Sequence, residues 1–240
     1  KEIHEQPSAI IETLEGRITA SHLVPEAFGQ AAAELFPKIE RVRIIACGTS
    51  FHAGLVGKYW MERYAKIPCQ VEVASEFRYR DSVVEDNTLF VTISQSGETA
   101  DTLAALRKAN AAGYLSTLCI CNVPESSLVR ESELSFMTHA GPEIGVASTN
   151  AFATLLTASL LLVANIAKFK GLSDEQEEAI VEGLRQLPAG IEGLLAMDAQ
   201  IEELAEHFQE REHALFLGRG DQYPIAMEGA LKLKEISYIH

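Results

Sequence analysis

Basic residues are scarce in this chain. Twenty lysines and arginines stand against 34 aspartates and glutamates in 240 residues, a net charge of −14. That balance argues against a nucleic-acid partner or an anionic membrane surface. The deficit is concentrated between Ser173 and Glu212, where twelve carboxylates face only Arg185 and Arg211. An acidic helical face of this kind is usually just solvated. Cysteine is also sparse. Cys47, Cys69, Cys119 and Cys121 fall in or beside predicted strands, where buried, reduced thiols are expected, and a lone Cys-x-Cys pair implies no metal. No signal-peptide pattern opens the chain, so a cytoplasmic location is expected. The longest apolar run, Ala151 to Ile166, is short for a membrane span and is interrupted by Thr154, Thr157 and Ser159; it predicts a buried helix. There is no Gly-x-x-x-x-Gly-Lys pattern, which makes a nucleoside triphosphate with magnesium a poor fit.

What the chain does have is a strand that runs into hydroxyls. Leu89 to Ile93 is apolar or β-branched throughout, as in a strand buried on both faces. Ser94-Gln-Ser-Gly-Glu-Thr99 follows, and then a helix with Leu103, Leu106 and Ala109 on one face. The first N–H groups of a helix lack partners and its dipole is positive there, so such a turn can cradle an anion. Gly97 is expected to let the backbone approach the ligand, and a single phosphate monoester suits the loop.

The rest of the chain places this loop. Residues 1–40 read as a helical lead-in, with one helix after Pro7 and another from Pro25 to Phe36. Strands are expected at Val42–Cys47, Cys69–Ala74, Leu89–Ile93, Tyr114–Cys121 and Leu134–Thr138, mostly with helices between them. The expected fold is therefore α/β, a flavodoxin-like three-layer α/β/α domain with a five-stranded parallel sheet over residues 41–170. In the order 2-1-3-4-5, strands one and three are neighbours at the switch point where ligands bind. The loops that meet there are Gly48-Thr49-Ser50 and Ser94 to Thr99.

Residues 171–212 read as a helical bridge. It has a Ser173-x-x-Gln176 capping box, a helix expected to stop at Pro188, and a second helix carrying Ile201, Leu204 and Phe208. From residue 213 the opening pattern recurs: a strand at Ala214–Leu217, a Gly218-Arg-Gly220 turn and a helix from Pro224. This is the expected start of a second, incomplete domain over residues 213–240.

Cys47-Gly-Thr-Ser50, Ser94-Gln-Ser-Gly-Glu-Thr99 and Leu217-Gly-Arg-Gly-Asp-Gln-Tyr-Pro-Ile-Ala226 resemble sugar isomerase (SIS) domains. Adding Glu228-Gly-Ala-Leu-Lys-Leu-Lys-Glu-Ile-Ser-Tyr-Ile-His240 and Lys1-Glu-Ile-His-Glu-Gln-Pro7 narrows the resemblance to the isomerase half of the glutamine–fructose-6-phosphate aminotransferases. The resemblance implies that Ser94, Gln95, Ser96 and Thr99 hold the phosphate of a hexose 6-phosphate, with Thr49, Ser50, Val146 and Ser148 along the sugar. Glu235 would move the proton between C1 and C2, and Lys232 would stabilise the enediolate-like species. Their i, i+3 spacing puts Lys232 and Glu235 on one helix face, which on its own also fits a surface ion pair.

The resemblance further implies a glutaminase domain before Lys1, ring-opening and imine-forming residues beyond His240, a homodimer, and no cofactor or metal. On that reading the chain is a fragment that binds without turning over. Another amino-sugar-phosphate deaminase or isomerase of the family, and a non-catalytic sugar-phosphate sensor, stay open as alternatives. Where family members often have lysine this chain has Asn150, whose role is open. His52 and Trp60 are expected to pack in the core, and Arg78 and Arg80 to form ion pairs.

Overall fold

The computed structural model describes residues 2–145 and 147–239. The lead-in holds α1 (Gln6–Leu14) and the single turn α2 (Ala32–Leu35). There follow β1 (Arg41–Ala46), α3 (Gly48–Trp60), β2 (Cys69–Val73), α4 (Ala74–Tyr79), β3 (Thr88–Ser94) and α5 (Ala100–Asn110). The sheet is completed by β4 (Ser116–Cys121), α6 (Ser127–Glu131) and β5 (Leu134–Met137). Four helices come last: α7 (Asn150–Lys168), α8 (Asp174–Leu195), α9 (Asp198–Glu206) and α10 (Gln222–Ser237).

The sheet is parallel throughout, in the expected order β2-β1-β3-β4-β5. Alternation along the strands sends side chains into two separate cores. Ile44, Val91, Leu118 and Phe136 face α1, α3, α7 and α8, while Ile45, Phe90 and Cys119 face α4, α5 and α6. All seven residues of β3 are buried, which is why that strand lacks polar alternation. Helix α7 is long and apolar enough to cross a membrane on composition alone. Its faces are instead taken up by α1, α3 and α8 in the first core.

Several boundaries differ from those expected. The helix predicted for residues 25–36 is broken at Gly29, whose φ of +122° leaves the helical region; a Cβ there would also lie 2.9 Å from Leu134. The segment forms a 3₁₀ turn, Pro25–Phe28, that places Phe28 on Phe136 with ring centroids 4.7 Å apart. Pro188 does not end α8. Val181, Leu184 and Pro188 form one buried stripe, and packing along it offsets the hydrogen bond that proline cannot donate. The predicted strand Ala214–Leu217 has no strand character. An extended segment becomes a strand only when another pairs with it, and none lies beside it among the described residues. Arg78 and Arg80 form the expected ion pairs, with Asp101 at 3.0 Å and Glu72 at 2.6 Å.

Candidate functional site

At the carboxyl ends of β1 and β3 the chain leaves the sheet in opposite directions, and the crevice between the two exits is a polar cleft of about 220 Å³. It is lined by Thr49 and Ser50 from the first turn of α3, by Ser94, Gln95, Ser96 and Thr99 after β3, and by Ser148 before α7. Of the eight residues expected to bind substrate, seven therefore meet in one cleft; Val146 lies outside the described residues. Cys47 and Thr102 also line it and were not anticipated. For Thr102 the signal was available, since it stands one helical turn after Thr99.

Hydrogen bonds fix the shape of the phosphate-sized loop. Ser94 Oγ accepts from the Gly97 N–H at 3.0 Å, and Ser96 Oγ accepts from the Glu98 N–H at 3.2 Å. A hydroxyl that accepts in this way still has its own proton to donate to an anion. Thr99 occupies the N-cap position of α5, yet its hydroxyl does not cap the helix; it lies 3.3 Å from Ser94 Oγ. The loop is also tied from behind, by Asn122 N–H to the Gln95 carbonyl and by Leu128 N–H to the Gly97 carbonyl.

Gly97 has a packing task beside the one expected of it. At φ +67° a Cβ on Gly97 would come within 2.0 Å of Ser126 Oγ and 2.7 Å of Cys121 Sγ, so it allows packing against the floor of the loop. Gly97→Ala should lower the unfolding temperature and abolish phosphate binding. The left-handed backbone alone costs about 1–2 kcal/mol. Adding Ser126→Ala should not rescue it, because Ser126 Cβ is itself only 2.5 Å from the new atom. A thermal melt with and without inorganic phosphate checks both points.

Among the described residues, none that lines the cleft is charged. The charges gather at one edge, where α10 packs on α3. Thr49 Oγ1 donates to Glu228 Oε1 at 2.8 Å and accepts from Lys232 Nζ at 3.1 Å. With its proton committed, Thr49 can still accept from a sugar hydroxyl but cannot donate to a phosphate. Lys232 Nζ lies 3.2 Å from Glu228 Oε1 and 2.7 Å from Glu235 Oε2. Apart from that ion pair, Glu235 Oε2 is buried and takes no hydrogen bond from the described residues. Lys232 thus borders the cleft through Thr49, and it also lines a larger cavity of about 900 Å³ between α1, residues 140–149 and α10.

Glu228 was not anticipated, although 228, 232 and 235 share one helix face by spacing. It is buried, and His52 Nδ1 lies 2.7 Å from its other oxygen, Oε2. Burial pushes its carboxyl pKa up, but the hydrogen bonds from His52 and Thr49 and the Lys232 charge outweigh that and hold it below the usual carboxylate value. His52 is therefore buried, as expected, and is also committed to this carboxylate. On the far side of the cleft, Glu143 Oε1 accepts from the N–H groups of Thr149 and Asn150 at 2.5 and 2.8 Å. The N-terminus of α7 is thus occupied by a carboxylate of the chain itself, next to Ser148. The Asn150 side chain is buried, and its Oδ1 has no hydrogen-bond partner among the described residues.

The SIS domain family model matches residues 35–165, which hold the whole sheet, α3 to α6 and most of α7. The chain belongs to the SIS domain family. It is 63% identical over 241 residues to a glutamine–fructose-6-phosphate aminotransferase (isomerizing) of Pseudomonas syringae pv. tomato. It is 60% identical over 240 residues to that of Escherichia coli K12. In both cases all of this SIS chain is matched, and it spans 39% of the relative's length. The C-terminal domain of glucosamine-fructose-6-phosphate aminotransferase from Francisella tularensis superimposes with a TM-score of 0.96 at 54% identity, covering the whole SIS chain and 67% of that structure.

Proposed function

We propose that this chain is the hexose-6-phosphate-binding isomerase portion of an enzyme that makes glucosamine 6-phosphate from fructose 6-phosphate and glutamine. The observation that carries this reading is the uncharged, hydroxyl-lined cleft at the switch point, with the Lys232–Glu235 pair joined to its edge through Thr49. Ser94, Gln95, Ser96 and Thr99 would take the phosphate by hydroxyl and backbone donation. Thr49, Ser50 and Ser148 would meet the sugar hydroxyls. Glu235 would take the proton from C1 or C2 and return it to the other carbon, and the Lys232 ammonium would offset the charge developing on the oxygen between those steps. The nitrogen would come from glutamine through a glutaminase domain of the same polypeptide. A cytoplasmic homodimer, with residues 213–240 opening a second SIS domain, completes the reading.

Ligand-dependent melting tests it. At about a hundred times its dissociation constant, fructose 6-phosphate should stabilise the fold by roughly 2.7 kcal/mol, and fructose should not. Glu235→Gln should keep that shift. In a polypeptide of the relatives' length it should slow deuterium exchange at C1 and C2 by about 10²–10⁴-fold. Equal shifts from the free sugar would overturn the phosphate site, and undiminished exchange would overturn the role of Glu235.

A further inference from the structure

Two helices that are distant in sequence meet at the edge of the cleft through one buried carboxylate. Thr49 and His52 stand i, i+3 on α3, and Glu228 and Lys232 stand i, i+4 on α10, so each pair shares a face and the two faces oppose each other. Glu228 spends Oε1 on Thr49 and Lys232 and Oε2 on His52. An ionised carboxylate only accepts, so the proton of this contact sits on His52 Nδ1. His52 lines neither cavity. The other two groups that Glu228 binds, Thr49 and Lys232, do line them.

We propose that His52 is a positioning residue that, by donating from Nδ1 to Glu228, fixes Thr49 and Lys232 at the sugar-facing edge of the cleft. Without that donor, Oε2 is left buried with no partner, and the carboxylate is free to turn toward Lys232. The ammonium would then be drawn from Thr49 and from Glu235. The ionisable groups facing Glu228 are His52 from α3 and Lys232 from its own helix, with Glu235 behind the lysine. Arg63, after α3, pairs separately with Asp221 just before α10 begins, so the helix contact has a second fastening. The catalytic part of the proposal rests on the function proposed above; the His52–Glu228 link does not.

The test compares His52→Asn, whose amide nitrogen falls near the position of Nδ1, with His52→Gln, whose amide falls near Nε2, and with His52→Leu, which has no donor. The first readout needs no sugar. In ¹³C-glutamate-labelled protein, the Glu228 carboxyl should titrate below the ordinary range in wild type and His52→Asn. In His52→Gln and His52→Leu its midpoint should rise by about one unit, a tenfold change in proton affinity. The second readout is the ratio of fructose 6-phosphate affinity to inorganic phosphate affinity. It should fall about tenfold in the Gln and Leu variants and recover in His52→Asn, with phosphate affinity alone unchanged. An unmoved Glu228 midpoint in His52→Gln, or a His52→Asn variant as impaired as His52→Gln, overturns the proposal. If His52→Leu does not fold, the Asn–Gln comparison decides. If wild type fails to prefer fructose 6-phosphate, the proposed function falls, and the carboxyl titration still decides His52.

Discussion

Ser96→Ala and Thr99→Ala should each weaken binding of a phosphate monoester by roughly tenfold to a hundredfold, and together by the product of the two if the sites act independently. Each removes a hydrogen bond to a charged group, worth about 1.5–3 kcal/mol, from a cleft with no charged side chain among its described lining residues to compensate. Neither should move the unliganded melting temperature much. Ser96 Oγ serves an exposed N–H, and the Thr99 hydroxyl caps nothing. Ser94→Ala is the contrasting case. Its hydroxyl is buried and accepts from the buried Gly97 N–H, so its loss should lower both affinity and stability, the latter by about 1–3 kcal/mol. Calorimetric titration with fructose 6-phosphate and a melt of the free protein separate the two effects. If Thr99→Ala lowers the melt and leaves affinity intact, the loop is a structural turn and nothing more.

Lys232→Met should destabilise the docking of α10 on α3 by about 3 kcal/mol at neutral pH. Removing one partner of a largely buried ion pair leaves the other charge uncompensated. Here the lysine stands between two carboxylates, and the Glu228 side chain is only 5% exposed. The pH dependence has a definite sign. Glu228 has a folded pKa below its unfolded one, so its contribution is fully present above the ordinary carboxylate value. It is lost as pH falls through the lower, folded value. The gap between wild type and Lys232→Met should therefore be largest near neutrality and close in acid, once Glu228 is protonated and no longer needs a cation. Hydrogen exchange in α10 followed from pH 7 downward measures it. A gap that widens in acid would mean that Glu228 is not the group the lysine serves.

The five strands, their order and the hydroxyl loop were legible in the sequence because each rests on a local pattern. β3 is an unbroken apolar run that ends in Ser94 to Thr99, and the switch point follows from connections of alternating side. The parts that were not legible depend on partners distant in the chain. Nothing near Gly29 announces Leu134, and nothing near Gly97 announces Ser126 and Cys121, so the packing role of neither glycine could be read from its neighbours in sequence. Pro188 reads as a stop unless the stripe it shares with Val181 and Leu184 is weighed against its missing N–H. Glu228 and His52 lie 176 residues apart, and only the meeting of α3 and α10 makes them a pair.

Helix α1 fixes the order in which the chain can be secured. Its buried residues Ile10 and Leu14 belong to the core built with α7 and α8, and Thr13 donates to the Thr138 carbonyl 125 residues ahead. Glu2 accepts from the N–H groups of Ile144 and Gly145 in the segment beside Ser148. A ribosome adding about 5–20 residues per second needs several seconds to reach those partners after α1 has emerged. Helix α1 thus has to wait for partners made well after it, and the segment carrying Ser148 gains its Glu2 tether only when that helix docks. Until then the Ser148 side of the cleft lacks that tether, so the competence to hold a ligand should lag behind the appearance of folded secondary structure.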